Sequence, residues 1–145
     1  MILILINKFH SLKRICSWAA IVFILAGLVF PAFANPEDYH FQLIEDEVPI
    51  GNRIEFSVRI LHKATGEPVT DAMIFADRLD MTPEGKPDRS THLAALTSDT
   101  PGIYRYRANM VEAGNWQLTL MTMIPGASTM VEGKMILKAI NEEFN

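Results

Sequence analysis

The chain has 145 residues, 17 of them acidic and 13 basic, for a net charge of −4, and it carries a single cysteine. That balance argues against nucleic acid or an anionic membrane surface as a partner, because both demand an excess of positive charge. One cysteine also excludes an internal disulfide framework and structural zinc of the cysteine type.

The N-terminal segment reads as an export signal. Lys8, Lys13 and Arg14 form a positive n-region, an apolar run covers residues 15–30, and Ala32 and Ala34 supply the small residues of an A-x-A cleavage site. The run is shorter than the roughly 20 apolar residues that a spanning helix uses. Cleavage after Ala34 is therefore expected in preference to an uncleaved anchor, even though residues 1–6 are apolar as well. A cut there leaves residues 35–145 as one domain outside the cytoplasm. It also removes Cys16 and three basic residues, so ten basic residues remain against seventeen acidic ones, a net charge of −7. The exported part then has no thiol.

Beyond the signal the pattern is strands and turns. Residues 39–44 begin with aromatic and polar side chains in alternation, and residues 46–52 hold Pro49 and Gly51, a turn signal. Ile54, Phe56, Val58 and Ile60 alternate with Glu55, Ser57 and Arg59, the period-two pattern of a strand with one buried face. Thr65-Gly66-Glu67-Pro68 closes that strand, and residues 69–79 resume one with Met73 and Phe75 facing inward. Residues 80–91 lack periodicity and carry Pro83, Gly85 and Pro87, which predicts a long loop.

Residues 93–96 form a short strand before the Pro101-Gly102 turn. Tyr104 and Tyr106 then share one face, and Arg105 and Arg107 the other. After Ala113-Gly114, the residues Trp116, Leu118, Leu120 and Thr122 share a face, with Trp116 expected in the core. Pro125-Gly126 turns the chain into a last strand over residues 128–139, with a slip at Gly133. Short strands at this spacing, with no convincing amphipathic helix, predict an all-β fold. Its expected form is an immunoglobulin-like β-sandwich of about seven strands, preceded by the signal helix.

Three stretches carry a family resemblance. They are Gly66-Glu67-Pro68-Val69-Thr70-Asp71-Ala72, then Arg78-Leu79-Asp80-Met81-Thr82-Pro83-Glu84-Gly85, and Pro101-Gly102-Ile103-Tyr104-Arg105-Tyr106 followed by Ala113-Gly114-Asn115-Trp116-Gln117-Leu118. In order and spacing this resembles the YtkA-like/FixH-like periplasmic domains of bacteria, over most of residues 39–139. The resemblance implies a small immunoglobulin-like module without catalysis, periplasmic, working beside copper or other heavy-metal efflux and cation-pump systems. Its implied partner is an inner-membrane metal-transport or cation-pump protein. The sequence departs from the family pattern D-M-x-P-x-G-M-x-x-M, since Lys86 and Arg89 stand at the two later methionine positions. Glu112 likewise stands where the stretch before Ala113-Gly114 often ends in methionine.

Seven of the eight methionines lie after the signal. Thioether and imidazole groups suit Cu(I), and outside the cytoplasm methionine needs no deprotonation to ligate. Met81 in the predicted loop, His92 at its far end and Met110 at a strand end are the candidate copper ligands. Met73, Met121, Met123, Met130 and Met135 are expected in the core, where flexible side chains fill irregular gaps. Met121 and Met123 share a strand face and equally suit a surface stripe. His40 and His62 sit at strand positions and are expected to be exposed or hydrogen-bonded rather than ligating.

Asp80, Glu84, Lys86 and Arg89 are the candidate partner contacts on loop 80–91. That loop mixes both charge signs and lacks the position-by-position pattern of a calcium loop. No serine nucleophile context, paired histidines or phosphate loop accompanies His92. An enzyme is therefore not expected. The two functional readings are soft-metal handling and a metal-free envelope module that docks through loop 80–91 or strand edges.

Overall fold

A computed structural model gives the fold, and the structure describes residues 35–141. The expected signal segment lies outside the described residues. In chain order the strands are β1 (Tyr39–Leu43), β2 (Glu47–Pro49), β3 (Gly51–His62), β4 (Met73–Met81), β5 (Lys86–Thr91), β6 (Ala94–Leu96), β7 (Ile103–Met110), β8 (Gly114–Met123) and β9 (Val131–Ile140). They form two sheets, β1-β3-β7-β6 and β2-β9-β8-β4-β5, antiparallel except where β2 runs parallel to β9. The immunoglobulin-like β-sandwich expected from the alternation is present. The described strands exceed the expected seven because β2 and β5 stand where a turn and a loop were predicted.

The core follows the period of two. Phe56, Val58 and Ile60 of β3, Tyr106, Ala108 and Met110 of β7, and Trp116, Leu118 and Leu120 of β8 are all buried. Phe56 sits directly opposite Tyr106 in the ladder, their rings 5.9 Å apart. β9 alternates without a break, with Val131, Gly133, Met135, Leu137 and Ala139 inward. The slip expected at Gly133 is absent, and the glycine has a packing role instead. A Cβ there would lie 2.3 Å from the Phe41 ring, so only hydrogen leaves room for β1 to cross this strand.

One irregularity changes which side chains face out. The β4–β8 register jumps between Ile74 and Ala76, leaving Phe75 as the extra residue of a β-bulge. Leu79 and Asp77 lie opposite Leu118 and Leu120, but beyond the bulge Ile74 faces Thr122 and Met73 faces Met123. Strict alternation from Leu79 would send Phe75 and Met73 inward, as predicted; the bulge reverses that, and both are exposed.

Thr122 points into the core, and its Oγ1 is buried without a hydrogen-bond partner among the described residues. Burying a hydroxyl unpaired costs about 1–3 kcal/mol. Thr122→Val keeps the shape and removes the cost, so the variant is expected to be more stable by about 1 kcal/mol. A calorimetric Tm roughly 4–8 °C above wild type checks it; an unchanged or lower Tm contradicts it.

Candidate functional site

The segment predicted as loop 80–91 is a hairpin. β4 runs to Met81, a single 3-10 turn covers Thr82–Glu84, Gly85 takes the left-handed conformation at φ 71°, and β5 returns along β4 with Asp80 opposite Ser90. The pairing escaped the sequence because β5 is an edge strand of exposed polar residues with no apolar face to reveal its period.

Each partner-contact candidate has a definite place here. Asp80 is 3% exposed, and its carboxylate accepts from the Thr82 amide at 2.8 Å, from the Thr82 hydroxyl and from Arg78 Nε. Burial alone pushes the Asp80 carboxyl up, yet the two Thr82 bonds and the Arg78 guanidinium outweigh it and hold the group below its ordinary range. Its acceptors are spent inside the turn, so Asp80 shapes the hairpin.

Glu84 reaches back to the start of β8. Its Oε1 accepts from both Asn115 N and Asn115 Nδ2 at 2.9 Å. Lys86 and Arg89 converge on Glu112, through Lys86 Nζ to Oε1 and Arg89 Nε to Oε2 at 3.3 Å. The hydrogen bond from Lys86 holds Glu112 below the usual carboxylate range, against a smaller upward push from burial. Sequence reasoning missed Glu112 and Asn115 as the anchors, since nothing local to residues 112–115 announces contact with residues 84–89.

The copper candidates are not brought together. Met81 is 1% exposed and Met110 is fully buried, both within the interlayer core. The Met81 methyl carbon would lie 3.0 Å from a Cβ placed on Gly114. His92, the residue just after β5, is exposed. His92 acts instead on Asp77, whose carboxyl is raised by burial and partly lowered by the histidine. Among the described residues no group of three or more His, Cys, Asp or Glu side chains is placed to hold a metal ion. Asp77 also lines a cleft of about 310 Å³ between the sheets, with Ile74, Leu96, Tyr104 and Tyr106.

A family model described as YtkA-like matches residues 33–121. The chain belongs to the YtkA-like family. No curated protein matches it. Among solved structures it is similar to the Lin-41 filamin domain, at 13% identity and TM-score 0.44, over 72% of this chain and 94% of that one. It is also similar to a DUF4785 family protein from Legionella pneumophila, at 15% identity and TM-score 0.42, over 70% of this chain and 28% of that one. A third is the Escherichia coli adhesin FdeC, at 16% identity and TM-score 0.39, over 72% of this chain and 32% of that one. The chain thus spans under a third of the length of the last two.

The hairpin gives the departure from the YtkA-like pattern a spatial meaning. Lys86, Arg89 and Glu112, which stand where the resemblance implies methionine, are the three members of the ion-pair cluster. In this YtkA-like chain, charge joins the hairpin to the start of β8 and the turn before it.

The buried acid at the turn predicts a pH dependence. A carboxyl whose pKa is lowered on folding stabilises above its unfolded value, near 3.9, and loses that contribution as pH falls through the lower folded value. Asp80→Ala is expected to cost about 2 kcal/mol at pH 7, with the deficit shrinking below about pH 4. Urea melts of both proteins across pH check this; a deficit that stays constant at low pH contradicts it.

Proposed function

We propose that this YtkA-like domain is a non-catalytic module, exported to the periplasm, that supports a soft-metal transport system by docking its β4–β5 hairpin on a membrane protein of that system. Copper is the metal class that the family resemblance favours. The observation carrying the docking reading is the anchoring of the hairpin. Glu84 is tied to Asn115, and Lys86 and Arg89 are tied to Glu112, while the rest of β5 is presented to solvent. A polar surface held by bonds beneath it loses little side-chain entropy on docking.

Burial of Met81 and Met110, with His92 exposed, supports docking over ligation by that trio. Export rests on the n-region, the apolar run and the A-x-A site.

The test is site-directed photocrosslinking in cells, with the photoreactive residue at Asp88 on the hairpin and, for comparison, at Ser57 on the opposite sheet. The expected result is an adduct from position 88, identified by mass spectrometry as a membrane metal-transport protein, and none from position 57. Equal adducts from both positions, or none from 88, sink the reading.

A further inference from the structure

The outer face of the five-stranded sheet carries a row of methionines that the hairpin surface does not use. The ladder sets Met73 of β4 directly opposite Met123 of β8. On the other flank the β8–β9 ladder ends with inward-facing Thr122 opposite Val131, and exposed Met130 is the residue just before Val131. Met121 lies two residues before Met123, about 7 Å along the same face. Met73, Met123 and Met130 are 53%, 42% and 41% exposed. The row exists because of the bulge at Phe75, which turns Met73 outward to join the other two.

Directly opposed residues hold their Cβ atoms about 4.5–5.5 Å apart. Two sulfurs on one ion, with a metal–sulfur bond of about 2.3 Å, stand no more than about 4.6 Å apart. The spacing set by the ladder therefore lets neighbouring thioethers share an ion by rotamer changes alone. Thioethers are soft, neutral donors that select soft cations such as Cu(I). Hard divalent ions take oxygen ligands, and the carboxylate facing Met121, Glu132, is paired with Lys134.

We propose that Met73, Met123 and Met130, with Met121 as a flanking donor, form a surface site for a soft monovalent cation, Cu(I) or Ag(I). It shares no side chain with the hairpin surface, so failure of the docking reading leaves it intact. The test uses the full chain carrying Cys16→Ser, so that the thiol does not compete, with the methionine methyl groups ¹³C-labelled. Titrated anaerobically with Ag(I), and then with Cu(I), the Met73, Met123 and Met130 methyl signals are expected to move together and saturate at one equivalent. Those of Met81, Met110 and Met135 stay.

Met73→Leu with Met123→Leu preserves volume at exposed positions. It is expected to weaken Ag(I) binding at least tenfold with an unchanged circular dichroism spectrum. Row signals that do not move, or a double variant that binds as tightly as wild type, overturn the proposal and leave the row an apolar contact surface. Zn(II) in place of Ag(I) is expected to move none of the three; an equal shift contradicts the soft-cation assignment.

Discussion

Burial of Trp116, Leu118 and Leu120 of β8 in one core with Phe56, Val58 and Ile60 of β3 constrains everything else in this molecule. Each such side chain contributes about 1.5–3 kcal/mol by leaving water. A slip of one residue would turn a whole strand inside out. The register of β4 and β9 on either side of β8 is therefore fixed, and with it the face on which each of their side chains emerges. In a domain expected to carry no thiol, that partition also decides where soft donors meet solvent. Met81, Met110 and Met135 are spent on packing, while Met73, Met123 and Met130 are left outside.

The two outer faces of the sandwich are built differently. On the four-stranded sheet, Glu55 clamps Arg105 at 2.8 Å and Arg107 at 2.6 Å, and the two arginines hold its carboxyl below the ordinary range against the pull of burial, with the Arg107 hydrogen bond the largest cause. Those charges are mutually satisfied and exposed, so they contribute little to stability. The outer face of the five-stranded sheet displays thioethers instead. The β4–β5 hairpin adds a third surface, polar and pinned to the β7–β8 turn by Glu84 and Glu112. The domain thus presents one polar edge tied down by hydrogen bonds and ion pairs and one face that displays thioethers.

Much of the fold was legible because alternation is a direct record of burial. The stretches around Ile54–Ile60, Tyr104–Tyr106 and Trp116–Thr122 each showed one apolar side, and each side is the buried or half-buried one. What escaped were features that alternation does not record. β5 is paired through its backbone to β4 with only polar side chains, so it read as a loop. β2 is three residues of parallel pairing against β9, too short to show a period. The bulge at Phe75 inserts a residue without any glycine or proline to mark it, and that single insertion reversed the expected places of Met73 and Phe75. The candidate site suffered from the same cause. Which methionines reach solvent depends on register, and register is a tertiary property.

The sandwich partitions the methionines between core and outer face. Brief exposure of the folded full chain to dilute hydrogen peroxide, followed by peptide mass spectrometry, measures that partition directly, because conversion to sulfoxide follows access to the sulfur. Met73, Met123 and Met130 are expected to oxidise at least tenfold faster than Met81 and Met110. Oxidation of Met81 or Met110 as fast as Met73 in the folded chain would contradict the partition.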